Sequence, residues 1–224
     1  MLVTMTRKPR TFVEGLPVHV VQRGVNRCDI FANDKDRNVY LQCLVEAADK
    51  HDCAVHCYVL MGNHVHVMIT PGTKESLPKT MQSLNGRYIK HFNRVYERTG
   101  PLWESRYKPS IIDTDAYLKV CYQYIEMNPV RANFCNKPED YRWSSHRYHA
   151  FGEPDPVITL HHGYAALGKD AESRQQRDRH AGRGEFDVGV QVLLDDLNDR
   201  LVQKDGISEI GLDRIGKKAP VLDV

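Results

Sequence analysis

Apolar and polar residues alternate along this chain with two different periods, and the changes from one to the other mark out its elements. Over residues 18–23, 54–61 and 64–70 apolar side chains recur at every second position or run together, as in strands that bury at least one face. Gly62-Asn63 between the last two is a turn pair that supplies positive φ at little cost, so these strands should form an antiparallel hairpin. Asp34–Lys50 carries a helical spacing instead, with Tyr40, Cys43, Leu44, Ala47 and Ala48 on one face. Residues 76–98 repeat it with Leu77, Met81, Leu84, Tyr88, Phe92 and Val95, and Thr99-Gly100-Pro101 closes that helix. Residues 106–113 read as a further strand, and 115–129 as a helix capped by Thr114 or Asp113. Strand, helix, hairpin, helix, strand, helix predicts an α+β sandwich of ferredoxin-like kind, a mainly antiparallel sheet with packed helices. From residue 153 the pattern loosens: the reading is a domain over 1–150, a linker over 151–187, and over 188–224 an appendage with a helix carrying Val188, Val192, Leu193, Leu197 and Leu201.

Candidate chemistry sits on the hairpin and on the last helix. In an extended strand His64 and His66 share one face while Val65, Val67 and Ile69 take the other. Two neutral imidazoles about 7 Å apart along a strand can lean in and share one divalent ion at about 2.1 Å. With 11 histidines in 224 residues such a pair also arises by chance, so the helix has to add weight. There Leu118, Tyr122 and Ile125 share a core face bordered by Cys121, whereas Tyr117, Tyr124 and Asn128 form a separate stripe. Tyr124 and Asn128, four residues apart, place a phenol nucleophile and an amide oxygen on one side. Tyr122 diverges from that side, and Tyr117 lies about 16 Å along the axis from Asn128, too far to share an ion.

The net charge of +2 says little, but its distribution says more. Lys79, Arg87, Lys90, Arg94, Arg98, Arg106 and Lys108 are interleaved with Tyr88, Phe92, Tyr96, Trp103 and Tyr107, which are materials for tracking phosphates and stacking on bases. Arg23 ends the first strand, and Gly24 to Arg27, with Asn26 and Arg27, forms a donor-rich loop after it. The six cysteines show no Cys-x-x-Cys pair. All six, Cys28, Cys43, Cys53, Cys57, Cys121 and Cys135, are expected as small buried hydrophobes rather than bridges, and Cys53 and Cys57 should share a strand face with His56 pointing away, which argues against a zinc site there. No apolar leader and no membrane-length run is present, which leads to the expectation of a cytoplasmic, nucleoid-associated protein.

These blocks, taken in order, resemble the HUH single-tyrosine transposases of small bacterial insertion sequences, and most closely the REP-associated tyrosine transposases. The resemblance runs over residues 7–150: Val20-Val21-Gln22-Arg23-Gly24-Val25-Asn26-Arg27, Tyr58-Val59-Leu60-Met61-Gly62-Asn63-His64-Val65-His66, Gly100-Pro101-Leu102-Trp103-Glu104-Ser105-Arg106-Tyr107-Lys108, Tyr124-Ile125-Glu126-Met127-Asn128-Pro129-Val130-Arg131-Ala132 and Trp143-Ser144-Ser145. It implies the same ferredoxin-like fold and a single-stranded DNA endonuclease and strand transferase acting beside hairpins formed by short palindromic repeats. Tyr124 would be the nucleophile, leaving a 5′-phosphotyrosine and a free 3′-hydroxyl. His64, His66 and Asn128 would hold Mg²⁺ or Mn²⁺, and Arg23, Asn26, Arg27, Arg87, Lys90, Arg94, Trp103, Arg106 and Lys108 would contact DNA. The family's C-terminal regions are often basic, whereas this one is acidic overall despite Lys217-Lys218. A domesticated, non-catalytic binder of DNA or RNA hairpins on the same scaffold is the alternative, and whether the chain forms a homodimer stays open.

Overall fold

The computed structural model describes residues 12–166 and 168–181, all within the first of the two units into which the chain divides, residues 1–185. Four strands, β1 (Val18–Arg23), β2 (Cys53–Leu60), β3 (His64–Pro71) and β4 (Lys108–Ile111), form one sheet in the order β2-β3-β1-β4, with every pairing antiparallel. Helix α1 (Asp34–Lys50) follows β1 and α2 (Ser76–Val95) follows β3. This is the predicted ferredoxin-like α+β sandwich. Strand alternation sends Val18, Val20, Val65, Val67 and Ile69 into an apolar core with Tyr40, Leu44, Leu77, Leu84 and Tyr88 of α1 and α2. Helix α3 (Asp115–Glu126) packs on β2 and β3, opposite the face that those valines occupy. Two further short helices, α4 (Asn128–Arg131) and α5 (His146–Phe151), and then α6 (His162–Ala165) and α7 (Ala171–Ala181), complete the described chain.

Local chemistry explains the helix starts. Asn33 caps α1 by accepting from Lys35 N at 2.8 Å and Asp36 N at 3.3 Å, while the Asp36 carboxylate takes the Asn33 N–H in return. Thr114 caps α3 through Tyr117 N at 3.2 Å. Both edges of the sheet are protected. Leu60 N bonds Trp143 O, Ser145 N bonds Tyr58 O and Thr159 N bonds Val55 O along β2, and β4 carries Pro109.

Several expectations change. The Gly62-Asn63 turn has no positive φ; its carbonyls accept from Ile30 N and Gly24 N, so the neighbouring loop fixes its shape. Helix α2 stops at Val95, which is half exposed rather than core, because Glu97 turns to positive φ and Arg98 N bonds back to Asn93 O. Strand β4 covers only 108–111, the length that β1 can pair. A bulge between Val55 and Cys57 reverses the side-chain parity of β2. Cys53 and Cys57 therefore do not share a face: Cys53 takes a hydrogen bond from Thr80 of α2, and Cys57 lies against Glu126 of α3. The expected helix over 115–129 divides at Met127, where Pro129 enters the first turn of α4. Within the expected linker, α6 and α7 are helical. Tyr164 O–H donates to Asp178 and Arg179 donates to Ala150 O, so polar side chains anchor a stretch that lacks apolar periodicity. The appended helix expected beyond residue 187 lies outside the described residues. Among the described residues, no helix is long and apolar enough to cross a membrane.

Candidate active site

The face of the sheet under α3 carries a histidine on β1 and two on β3. His64 begins β3 opposite Arg23, and His66 lies opposite Val21, with the ring centroids of the two histidines 5.1 Å apart. Asn63 Oδ1 sits 2.7 Å from His64 Nδ1, and Asn63 Nδ2 donates to Arg27 O at 3.1 Å, so one side chain ties the 24–27 turn to the histidine. With Nδ1 used in this way, His64 Nε2 is left as the nitrogen that can bind an ion. From the helical side Asn128 brings Nδ2 to 3.4 Å from His66 Nε2. The Tyr124 ring stands edge-on to His66 at 5.5 Å and to His19 at 5.8 Å, and the Arg131 guanidinium lies 5.2 Å from the Tyr124 centroid.

Burial sets the charge of this cluster. It lowers His64 to about 4, aided by the nearby Arg23, while an Asn128 hydrogen bond pulls the other way. Burial, with the neighbouring His19, His64 and Arg131, holds His66 well below its usual value. Both imidazoles are therefore neutral near pH 7, the state in which a lone pair can bind a metal. Burial pushes the Tyr124 phenol above its usual value, and Arg131 and Asn128 draw it part of the way back. Among the described residues no group of three or more His, Cys, Asp or Glu side chains could hold an ion. Two imidazoles and a carboxamide make a sparse donor set, which suits a labile ion with open positions.

The three tyrosines on α3 separate cleanly. Tyr124 alone meets the histidines of β1 and β3, whereas Tyr122 points at His149 and Tyr164, 5.0 and 4.9 Å away between ring centroids, and Tyr117 interacts with Cys121. The expected DNA contacts divide as well. Arg23 lies opposite His64, Asn26 and Arg27 are exposed in the turn that follows, Lys108 lies opposite Val21, and Arg106 is exposed just before β4; at this end Gly24 bridges to Trp103 and Arg23 pairs with Glu104 at 2.7 Å. Arg87, Lys90 and Arg94 are exposed on α2, across the sheet from the histidines, and Arg87 is already paired with Glu46. Trp103, expected as a stacking platform, is 7% exposed and packs on Tyr40 and Tyr88, so its ring is core and not a free surface. Tyr88, Phe92 and Tyr107 are buried too.

Sequence reasoning missed three things. His19 is fully buried against His66; its signal was available, because Val18 and Val20 point into the apolar core and leave His19 on the opposite face. Arg131 follows Asn128 by three residues, one turn on. The third is a buried network in which Glu126 accepts from Ser145 at 2.6 Å and contacts His149 Nδ1 at 2.6 Å and His146 Nδ1 at 3.2 Å. It joins α3 to α5, and nothing in the linear pattern pairs residues 126 and 149.

An antiparallel sheet with packed helices, in which two strand histidines face a helical tyrosine, defines the class: a Y1 transposase fold of the HUH type. The IS200-like transposase family matches residues 12–128, over half the chain, and the chain belongs to that family. Among solved structures, a REP-associated tyrosine transposase bound to a REP hairpin aligns over 70% of this chain and 93% of its own, with 16% identity and a TM-score of 0.54. That likeness concerns the fold. A candidate transposase from Deinococcus radiodurans aligns over 54% of this chain and 96% of its own at 17% identity, with a TM-score of 0.38, too low to carry an argument. No curated protein matches the sequence.

Proposed function

We propose that the chain is a metal-dependent endonuclease and strand transferase that cuts single-stranded DNA beside a hairpin through a covalent bond to Tyr124. The observation that carries this reading is the convergence of His64 and His66 of β3, Tyr124 of α3 and Asn128 of α4, some sixty residues apart in sequence, into one largely buried cluster. Family membership makes transposition chemistry the first expectation, and the hairpin held by the structural relative supports a hairpin partner.

In this reading the phenol oxygen of Tyr124 attacks phosphorus in line, its bond to phosphorus forms, and the bond to the 3′-oxygen breaks. The phenolic proton leaves and the departing 3′-oxygen gains one. A diester is exchanged for a diester, so the strand can be rejoined without ATP. Burial works against the phenolate, and Arg131, lying over the ring, opposes that effect and offers a cation to the incoming phosphate. His64 Nε2, His66 Nε2 and the Asn128 carboxamide, once its oxygen is turned inward, would hold a divalent ion, with manganese or magnesium fitting the set better than zinc. When bound, such an ion supplies Lewis-acid neutralisation of a nonbridging phosphate oxygen. Arg23, Asn26, Arg27, Arg106 and Lys108 at the same end of the sheet would carry the strand.

The test is to incubate the protein and Mn²⁺ with a labelled hairpin oligonucleotide that has an unpaired flank, and to look on a denaturing gel for a covalent adduct. An adduct that depends on Mn²⁺ and on Tyr124 is the expected result. Tight hairpin binding with no adduct at any metal concentration would support the non-catalytic binder instead.

A further inference from the structure

We infer that His19 is a positioning residue that fixes the proton on Nδ1 of His66 and so leaves His66 Nε2 open to an ion; this rests on the metal reading above. His19 is the second residue of β1, between the core valines Val18 and Val20, with no exposed surface. Its Nε2 stands 2.9 Å from His66 Nδ1, and the two rings meet edge to edge and nearly coplanar, with centroids 5.1 Å apart and 19° between their planes. A contact of that length between ring nitrogens holds one proton, which can belong to either ring. If it belongs to His66, Nδ1–H donates to His19 and the bare His66 Nε2 faces Asn128. If it belongs to His19, the proton of a neutral His66 sits on Nε2 and that nitrogen is closed to a metal. Ligating histidines in proteins commonly donate their second nitrogen to a fixed acceptor, and His19 Nε2 is the acceptor available here.

The other nitrogen of His19 argues that the residue is kept for this contact. In the proposed tautomer neutral His19 carries its own proton on Nδ1, which is buried with no hydrogen-bond partner among the described residues. A buried polar atom left unpaired works against folding, and a leucine would fill the same space without it. The Tyr124 ring rests edge-on against His19 as well, so one side chain touches both the nucleophile and a proposed ligand.

Two measurements on the full chain test this. The first needs no metal: nitrogen–proton correlation spectra of histidine-labelled protein, with the His66 signals assigned by their loss in His66→Ala. The wild type should show His66 protonated at Nδ1, and His19→Leu should shift it toward the Nε2–H form. A wild-type His66 protonated at Nε2, or a tautomer unchanged in folded His19→Leu, overturns the inference. The second is Mn²⁺ titration by calorimetry. His19→Leu should bind on the order of ten- to a hundredfold more weakly. His19→Gln, whose side-chain oxygen can accept from Nδ1–H, should stay within about threefold of wild type. Equal Mn²⁺ affinity in wild type and His19→Leu, with His66→Ala non-binding, overturns the positioning role alone. Wild type and His66→Ala alike in failing to bind would count against the metal reading, while the tautomer measurement still decides the role of His19.

Discussion

The two faces of the central sheet are built from the same strands and do opposite work. Under α1 and α2 the strands contribute valine and isoleucine; Tyr88 O–H donates to Ile30 O at 2.5 Å there, while Tyr40 Oη and Trp103 Nε1 are buried without a hydrogen-bond partner among the described residues. Under α3 the same strands contribute His19, His64, His66 and Cys57, facing Tyr124, Glu126 and Asn128. One ring nitrogen each of His19, His146 and His149 is buried on that side without a hydrogen-bond partner among the described residues. Alternation along a strand thus lets one sheet carry an apolar core on one side and the candidate site on the other. Burying these imidazoles works against folding, and their contacts with one another and with Asn128 fix their arrangement.

The largest effect should come from the smallest change on the polar face. Tyr124→Phe deletes one oxygen and keeps a ring whose own contacts are with His19, His66 and Arg131. Adduct and cleaved strand should vanish, while hairpin affinity and melting temperature stay near wild type. Adduct that survives there and disappears in Tyr117→Phe or Tyr122→Phe would move the nucleophile elsewhere.

The apolar face should respond in the opposite sense. Leu84 is fully buried on α2, and Leu84→Ala should lower stability by about 3 kcal/mol through lost transfer energy and a cavity. Denaturant melts would show the loss, and adduct yield per folded molecule should be unchanged. A folded Leu84→Ala protein with a damaged reaction would mean that the two faces are coupled through the sheet.

Acid should weaken the polar face more than the apolar one. Burial lowers His19 to about 3, so the folded chain keeps it neutral while the unfolded chain protonates it through about 6.5. Unfolding then takes up a proton, so the contribution is at its full value above about pH 6.5 and falls as pH drops. Between pH 8 and pH 5 the loss is about 2 kcal/mol for this one residue, by 1.36 kcal/mol per pKa unit. His64 and His66 act in the same direction, while His146, which Glu126 raises despite burial, opposes them below its own pKa. Melting temperature should fall from pH 7 to pH 5, and less steeply in His19→Leu. An equal slope in the two proteins would mean that His19 is protonated when folded.

How much of this was legible in the sequence follows the same division. The apolar face was readable nearly residue by residue, because burial imposes a period on β1, α1, β3 and most of α2. On the polar face His64, His66, Tyr124 and Asn128 could be named from spacing and resemblance, since each pair is local in sequence. His19 could not, although its parity was visible, because what makes it matter is a neighbour 47 residues away. Glu126 and its contacts with His146 and His149 are hidden for the same reason. Trp103 misled because an aromatic among cations looks the same in sequence whether it faces solvent or, as here, Tyr40 and Tyr88.

The smallest expected effect concerns the cations, and it pits the two faces against each other directly. Arg87 belonged, on sequence, with the phosphate contacts, but it extends from α2 on the far side of the sheet and is engaged by Glu46. Arg27 is exposed in the turn that Asn63 fastens to His64. If the strand runs past the histidine end, Arg27→Ala should weaken hairpin binding several-fold and reduce the slope of log affinity against log salt by about 1. Arg87→Ala should leave both within about twofold, because it removes a charge already compensated and remote from the path. Binding isotherms at several salt concentrations measure the two together. A loss in Arg87→Ala equal to that in Arg27→Ala would place DNA across α2 as well, and the division between a structural face and a working face would then hold for the chemistry but not for the grip on the substrate.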